Sequence, residues 1–559
     1  MEYLIFILTM VVFAVVIFGT EAVRVRKEEK KFIRSLYEEY DKLVEKDYAL
    51  ERFVRIDSYF NRHRQEGQLD DITWNDLDMD ELFKRMNYTL SASGEEYLYY
   101  TLRTLKQSDE ELEHLEETVR FFGEHPDIRV KVQLAARRLG YTGKYSLYDY
   151  LDNLDLLGER SSRKNIFLDC LFPVLIGLMW VNFSAGVIGI VILTVYNIIS
   201  YFREKAEIDP YITSFSYVMR LLQSCGELEK ISMPVYSREQ GQIREARKQL
   251  QGMKRNSYWV MSPYRGNASG DILAIFLDYI RMIFHIDLIK FNSMLKVLQG
   301  HIGDVDILIA CMGRLETAIA IWEFRESLKN GWCIPDFDET GTVEMEEGYH
   351  PLLEAPVKNG ICAGKGVLLT GSNASGKSTF LKTMAINAIF AQTIHTCTAD
   401  RYRTSKFRVY SSMALRDDIG SGESYYIVEI KALKRILDAA FAEEGKVLCF
   451  VDEVLRGTNT VERIAASTQI LKSLCHPGVL CFAATHDIEL TELLQKDFDN
   501  YHFEEDIRDG DIFFNYRIKE GRATTRNAIR LLELMGYDQE VIRKATAQAE
   551  HFVTAGVWQ

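Results

Sequence analysis

The stretch GVLLTGSNASGKSTF, Gly366 to Phe380, predicts the fold of the last third of the chain. An apolar run of strand character passes into a glycine-rich turn and then into a helix-forming segment. The turn fits the pattern G-x-x-x-x-G-K-[ST], in which glycines let backbone N–H groups close around phosphate oxygens. The fixed places are occupied by Gly371, Gly376, Lys377 and Ser378. The alternative is an ordinary Gly/Ser turn; a phosphate-binding loop is favoured because two matching features follow it.

Two later segments have the composition of buried parallel strands that end in polar residues. KVLCFVDE, Lys446 to Glu453, ends in two acids, and VLCFAATHD contains His486. The carboxyl ends of parallel strands meet at one edge of a sheet. We therefore expect Asp452 to hold a magnesium ion and Glu453 to orient or deprotonate an attacking water. His486 is a candidate sensor of the terminal phosphate; the alternative is a structural polar residue.

Five motifs in the last third of the chain, taken together, resemble those of the MutS family of DNA mismatch-repair ATPases. The family's order is a His-Pro segment, the phosphate loop, D-D-x-x-x-G-x-S, D-E-x-x-R-G-T and T-H. Here the motifs read YHPLLE from Tyr349, GSNASGKST from Gly371, RDDIGSGES from Arg416, DEVLRGTNT from Asp452, and ATHD from Ala484. The most specific of them is Arg456-Gly457-Thr458, directly behind the acidic pair.

This resemblance implies a homodimer with composite sites for ATP and Mg²⁺. Ser378 and Asp452 would hold the metal. Ser424 would reach the partner subunit's nucleotide; its other possible role is a helix N-cap, and the two roles are compatible. The residues expected to act in catalysis are Lys377, Glu453 and His486. The residues expected to bind the nucleotide are Gly371, Ser372, Asn373, Ala374, Ser375, Gly376, Lys377, Ser378, Thr379 and Ser424.

Composition restricts the class of protein further. With 559 residues, 47% of them hydrophobic and 26% charged, the chain is long enough for three or more globular domains. The net charge of −14 gives no general attraction to nucleic acid, so any DNA contact must come from a local basic face. Nine cysteines without a C-x-x-C pair favour reduced thiols in the cytosol over a disulfide or zinc framework.

The N-terminal stretch YLIFILTMVVFAVVIFGT, Tyr3 to Thr20, has the character of a membrane anchor. It contains no charge, and as a helix it would span about 27 Å, close to the thickness of a bilayer's hydrocarbon core. Glu2 precedes it and basic residues follow, which favours an anchor over a cleaved signal peptide. The positive-inside rule then places the rest of the chain in the cytoplasm.

A second apolar region, Ile166 to Phe202, is split by a potential turn at 182–186 and predicts a helical hairpin. Basic residues flank both ends, so a transmembrane hairpin would return to the cytoplasmic side. The alternative is a buried core hairpin, because Asp169 and Asn197 would be costly in lipid. With the anchor, the hairpin predicts a multi-pass cell-membrane protein whose ATPase lies in the cytoplasm. The apolar stretch from Asp271 is assigned to a core helix because charges interrupt it.

The fold class that follows is an α/β P-loop NTPase domain preceded by an all-α lever domain with transmembrane helices. The expected domains are a transmembrane anchor at 1–22, a charged helical stand-off at 23–74, a helical core and lever at 75–335 interrupted by the hairpin at 166–202, and an ATPase and dimerisation domain at 336–559. We expect no mismatch-reading domain ahead of Leu77. Phe122-Gly123-Glu124 matches the family's Phe-x-Glu wedge by letter, but it is interpreted as a helix end.

Smaller departures from the family concern nucleotide and DNA contacts. Val357-Lys358-Asn359 lacks the aromatic residue that the family usually stacks on adenine. Tyr516 could supply the missing ring; the alternative is a core or strand-face tyrosine. Thr525-Arg526-Asn527 replaces the family's usual Ser-Tyr-Gly in the dimer contact. The basic run within 236–264 could belong to a short DNA clamp or to a solvated helix face.

Two functions remain open from the sequence. The first is a dimeric, membrane-anchored ATPase whose clamp holds branched or distorted DNA rather than reading mismatches. The second is a membrane-associated motor that acts on unknown protein partners or on the membrane, without DNA as a substrate.

Overall fold

The structure, a computed structural model, describes residues 20, 23–24, 26–40, 42, 46–105, 108–143, 146–154, 158, 160–253, 279–372, 375–413, 425–442, 445–455, 459–508, 511–523, 529, 532–533 and 535–555. These residues form two compact units. The helical unit comprises Met1–Arg64, Asn87–Tyr100 and Glu116–Phe324, and the sheet unit comprises Gln65–Met86, Thr101–Leu115 and Arg325–Gln559. The units therefore interleave along the chain, whereas the sequence predicts consecutive domains, of which the last begins at residue 336.

The described residues of the N-terminal half of the chain are mainly helical. The helices with defined bounds there are α1 (Leu50–Ile56), α2 (Ser58–Arg62), α3 (Asp71–Asp76), α4 (Met79–Met86), α5 (Ala92–Arg103), α6 (Asp109–Glu124), α7 (Pro126–Leu139), α8 (Leu147–Asp152), α9 (Arg163–Met179), α10 (Phe183–Leu228), α11 (Ser237–Gln249), α12 (Ile286–Gly300) and α13 (Ile302–Ser327). Phe122-Gly123-Glu124 ends α6, with Phe122 fully buried, so its interpretation as a helix end is confirmed.

Two glutamates on α13 are buried in the core of the helical unit. Glu316 accepts hydrogen bonds from the backbone N–H groups of Leu90 and Ser91 at 2.7 and 3.1 Å. Glu323 accepts one from Gln133 Nε2 at 2.8 Å. Burial raises the pKa of Glu323 to about 8, because the charged form loses its hydration. The interior of this unit is therefore held partly by polar groups whose protonation affects stability.

Helices α9 and α10 are joined by a turn of three residues and form a hairpin with an apolar outer surface. The Asn182 side chain accepts a hydrogen bond from Ala185 N–H at 3.1 Å and caps α10. Within the described residues, the stretch Phe183–Asp209 is the one helix long and apolar enough to cross a membrane. The described residues thus do not support the multi-pass arrangement expected from the sequence. Almost all of the predicted anchor at 1–22 lies outside them.

The sheet unit contains a six-stranded sheet and a four-stranded sheet. Its strands are β1 (Asp336–Phe337), β2 (Val343–Gly348), β3 (Asn359–Ala363), β4 (Gly366–Thr370), β5 (Arg401–Thr404), β6 (Arg408–Ser412), β7 (Val447–Asp452), β8 (Val479–Ala484), β9 (Phe498–Arg508) and β10 (Asp511–Glu520). Its later helices are α14 (Lys377–Ile394), α15 (Tyr425–Ala440), α16 (Thr460–Ser473), α17 (Glu489–Leu493) and α18 (Gln539–Ala555).

The larger sheet has the order β10-β9-β4-β8-β7-β6, and only the β9–β10 pair is antiparallel. Strands β4 and β7 are buried at every residue, which explains their continuous apolar runs. In the register, Ala484 of β8 pairs with Leu369 of β4 and with Asp452 of β7. The carboxyl ends of these three strands therefore lie side by side, as the α/β interpretation of the sequence requires.

Candidate functional site

The glycine-rich turn (residues 371–376) joins β4 to α14. Gly371 and Gly376 have φ angles of 143° and 110°, which side chains other than glycine rarely adopt. A Cβ atom at residue 371 would lie 2.6 Å from the carbonyl oxygen of Phe503, so only glycine fits there. Within the described part of the chain, the buried Ser375 Oγ has no hydrogen-bond partner. Together with the N-terminus of α14, these features suit an oxygen-rich anion.

Lys377 extends back into the turn. Its side chain is buried, and Nζ donates to the carbonyl oxygens of Gly371 at 2.9 Å and Ser372 at 2.7 Å. The Ser372 hydroxyl in turn donates to Glu505 Oε2 at 2.7 Å. The ammonium group is thus held where it can reach phosphate oxygens. The sequence interpretation missed Glu505, because an acidic residue within the β9 segment HFEED matches no functional motif.

Ser378 and Asp452 meet at the mouth of the turn. The Ser378 hydroxyl donates to Asp452 Oδ2 at 2.5 Å, although the two residues come from α14 and from the end of β7. A hydroxyl and a carboxylate are suitable ligands for Mg²⁺, which prefers oxygen and retains water or phosphate ligands. In the described residues, no group of three or more His, Cys, Asp or Glu side chains is arranged to hold a metal ion. A magnesium ion here would therefore also depend on phosphate oxygens.

Glu453 and His486 lie together beside this pair. His486 Nε2 is 2.9 Å from Glu453 Oε1. Glu453 has a φ angle of 58°, and its N–H donates to the Ala484 carbonyl at 3.0 Å, so the backbone turns sharply where β7 ends. Such strained positions often occur at functional sites. This turn places the Glu453 carboxylate beside the His486 imidazole, which follows β8 at the same edge of the sheet.

Two further contacts support the ends of β7 and β8. Arg463 on α16 forms a bidentate pair with Asp487, with distances of 2.9 and 2.6 Å. Buried Glu429 on α15 accepts a hydrogen bond from the N–H of Leu455. The sequence assigned no role to Glu429; the structure shows it fixing the turn that follows Glu453. Sequence spacing could not reveal this contact, because the turn lies in another element.

A cavity of about 550 Å³ opens beside these residues, a size typical of sites for small ligands. The Tyr516 ring lies at its edge, 45% exposed, at a position where β10 bulges away from β9. Asn359 fixes this bulge, because it donates to the Tyr516 carbonyl and accepts from Ile518 N–H, both at 2.9 Å. His350 also lies in the cavity wall. Burial and, to a smaller extent, the positive charge of Lys382 lower the pKa of His350 to about 4, so its ring is neutral at neutral pH.

The structure brings together most of the side chains that the sequence singled out. Gly371 and Ser372 lie in the turn. The cavity is lined by Ser375, Gly376, Lys377, Ser378, Thr379, Asp452, Glu453 and His486. The residues Asn373, Ala374 and Ser424, and the stretches 456–458 and 525–527, lie outside the described residues.

Comparisons with known proteins agree with this site. Residues 367–553 match the family model MutS domain V, which is an ATPase domain. The chain is also 28% identical over 279 residues to a DNA mismatch repair protein MutS from Lactobacillus delbrueckii subsp. bulgaricus; the match covers 48% of this chain and 32% of that protein. The matched region thus spans about a third of the relative's length. These findings confirm, over the matched region, the resemblance to the MutS family that was drawn from the motifs.

Proposed function

We propose that this chain binds and hydrolyses ATP at the cavity beside the glycine-rich turn. The observation that supports this best is the 2.5 Å contact between Ser378 Oγ and Asp452 Oδ2, with the Lys377 ammonium buried next to it. A phosphate-binding turn, a metal-binding oxygen pair and a water-activating carboxylate are the parts that phosphoryl transfer to water requires. Proteins of the MutS family are ATPases, which supports the same activity.

Each residue has a role that follows from its position. Lys377 would bind the outer phosphates, and Ser378 and Asp452 would hold Mg²⁺, which would offset negative charge on the phosphate oxygens. Glu453 would orient the attacking water and accept its proton. His486, in contact with Glu453, would hold that carboxylate in place and donate to the terminal phosphate. Tyr516 would stack on the base, because its ring borders the cavity next to Gly376, with Cδ1 3.3 Å from the place of a Cβ there.

We propose further that the nucleotide cycle drives a dimer that binds DNA. Two points support this proposal: the relative is named a DNA mismatch repair protein, and members of the MutS family act as dimers that bind DNA. The net charge of −14 means that DNA binding would depend on a local basic surface and would weaken steeply with salt. Branched or otherwise distorted DNA is the proposed substrate.

The hairpin of α9 and α10 is proposed to hold the protein at the cell membrane, with the ATPase in the cytoplasm. Its outer surface presents apolar side chains to the surroundings, and soluble proteins rarely expose so large a contiguous patch. The most exposed of these are Phe167, Val174, Trp180, Val181, Phe183, Ile188, Val191, Ile192, Val195, Ile199 and Phe202. Asn197 donates to the Ile283 carbonyl at 2.8 Å, which reduces the cost of placing it in lipid. The N-terminal anchor at 1–22 would add a further attachment.

This apolar hairpin favours a second candidate function. An ATPase attached to the membrane could act on protein or membrane partners, with no part for DNA. Both functions use the same nucleotide site. They differ in whether DNA, or instead a protein or membrane partner, changes the rate of ATP hydrolysis.

ATP hydrolysis by the full chain in lipid nanodiscs would test both proposals. Turnover and binding are measured with no DNA, with duplex DNA and with branched DNA, over a range of salt concentrations. Stimulation by branched DNA that fades with added salt would support the first function. ATP hydrolysis with neither DNA binding nor stimulation at low salt would leave the second. Absence of ATP binding would overturn the proposed activity itself.

A further inference from the structure

A short segment from the N-terminal half of the chain is built into the sheet unit. Helix α3 and the residues beside it lie within Gln65–Met86, which belongs to that unit. Asp70 caps α3, because its side chain accepts a hydrogen bond from Thr73 N–H at 2.8 Å. We call residues Asp70–Asp76 the acidic bracket. Its contacts with the later part of the unit surround one residue, Ser411 near the end of β6.

The N–H, hydroxyl and carbonyl groups of Ser411 each form a hydrogen bond. Two of the partners belong to the acidic bracket, and the third is Arg435, which pairs with the bracket. Its N–H donates to Thr73 Oγ1 at 3.1 Å, and its hydroxyl donates to Asp76 Oδ2 at 2.7 Å. Its carbonyl accepts from Arg435 on α15, and the same guanidinium group pairs with Asp70. Ser411 and Thr73 are fully buried. Buried hydrogen bonds of this kind fix the position of the strand end closely.

Asp76 makes a second bond that extends this support. Its Oδ2 also accepts from Met413 N–H at 2.9 Å, and its side chain is almost completely buried. Asp76 is the last residue of α3, where a negative charge is unfavourable because it faces the negative end of the helix dipole. The stability of α3 therefore does not explain an aspartate at this position, whereas its two hydrogen bonds to Ser411 and Met413 do.

The supported strand end lies next to the proposed catalytic residues. β6 pairs with β7 so that Ser412 is opposite Val451, and Asp452 and Glu453 follow directly. Arg435 connects the bracket to α15, which also carries Glu429, the residue that holds the turn behind Glu453. The lining of the cavity includes no residue of the acidic bracket. The bracket thus contacts the framework behind the acids and not the place of the nucleotide.

We infer that Asp76, with Asp70 and Thr73, is a positioning residue for ATP hydrolysis that acts through Ser411 and Arg435 on the placement of the acids at the end of β7. This inference rests on the proposed function. Because the bracket supports the strand framework behind these acids and itself lines no part of the cavity, its loss lowers kcat while the affinity for ATP is kept.

The test compares Asp76→Ala with Asp76→Asn in the full chain. Alanine removes both hydrogen bonds, whereas asparagine can keep an acceptor oxygen in the same place. We expect Asp76→Ala to lower kcat by about tenfold or more, since small displacements of catalytic groups have effects of this size. The Kd for ATP stays within about twofold and Asp76→Asn stays near the wild-type rate. Asn75→Ala, an exposed neighbour on α3, is the matched control and keeps the wild-type rate.

Thr73→Val, which removes one acceptor from a side chain of similar shape, serves as the second variant if Asp76→Ala does not fold. An unchanged kcat in a folded Asp76→Ala or Thr73→Val protein would overturn the inference. Equal losses of kcat and ATP affinity would also overturn it, because they indicate a general structural effect. If the wild-type chain binds ATP but does not hydrolyse it, the proposed function fails first, and this outcome is distinct from both.

Discussion

His486 Nε2 lies 2.9 Å from Glu453 Oε1, and the two side chains border the same cavity although they follow different strands. Strand β8 lies between β4 and β7, so the residues after β7 and β8 are neighbours at one edge of the sheet. This places a proton acceptor and an imidazole beside the glycine-rich turn. The contact leads to a specific expectation for Glu453.

Replacement of Glu453 by glutamine is expected to stop turnover and spare binding. An amide cannot accept the proton of the attacking water, so kcat for ATP falls by about 100-fold or more. The Kd for ATP, measured by calorimetry, changes by less than about threefold. Glu462→Gln, at an exposed acid on α16, is the control and keeps full activity. Wild-type turnover in the Glu453→Gln protein would show that another group activates the water.

Replacement of Lys377 by alanine is expected to weaken nucleotide binding itself. The variant loses a charge-assisted contact with the phosphates, and we expect the Kd for ATP to rise by about 10- to 100-fold. Lys382→Ala, one turn further along α14, removes a cation that pairs with Asp78, and it leaves the Kd within about threefold. If the Lys377→Ala protein bound and split ATP as before, the site would be elsewhere.

Tyr516 is expected to contribute to recognition of the base. Tyr516→Ala should raise the Kd for ATP by about three- to tenfold, the usual contribution of one stacked ring, and leave the affinity for inorganic triphosphate unchanged. Tyr516→Phe retains the ring and should bind like the wild type. The idea is wrong if ATP and triphosphate are affected equally, or if alanine has no effect.

Glu323 is expected to make the helical unit less stable as pH rises. The folded protein keeps the proton up to about pH 8, whereas a free glutamate releases it near its ordinary pKa of 4.5. The folded state therefore binds more protons between these values, and stability falls with rising pH across that window. Glu323→Gln should raise the free energy of unfolding at pH 8 by on the order of 1 kcal/mol or more, with little effect at pH 4.5. Thermal unfolding of Glu326→Gln, an exposed neighbour, should follow the wild type at both pH values.

The apolar hairpin is expected to hold the chain in the membrane without the N-terminal stretch. A chain that lacks residues 1–22 should remain in the membrane pellet after alkaline carbonate extraction. Aspartates at Val191, Ile192 and Val195, which are 56, 64 and 53% exposed, should release it, since charge within lipid is costly. Aspartates at Phe441, Val461 and Leu493, exposed in the sheet unit, are the control and should not release it. Release of the truncated but otherwise unchanged chain would show that the hairpin does not anchor.

The amino-acid sequence by itself determined the parts of the protein that depend on local patterns. The glycine-rich turn, the apolar strands that end in Asp452 and His486, and the apolar hairpin each have a composition that physics ties to one local structure. A buried parallel strand needs an unbroken apolar run, and a phosphate-binding turn needs glycines at fixed places. The family resemblance rests on the turn and the strand-end motifs in the last third of the chain, and the comparisons confirmed it there.

The tertiary structure alone decided which distant segments support the site. Asp76 and Ser411 are 335 residues apart in the chain, and Glu505 contacts a turn that precedes it by 133 residues. Single aspartates and glutamates of this kind occur on most protein surfaces, so no local pattern distinguishes the buried ones. Their roles arise from hydrogen bonds that form only when β6, β9 and α3 are packed together, because a buried carboxylate is stable only where donors meet it.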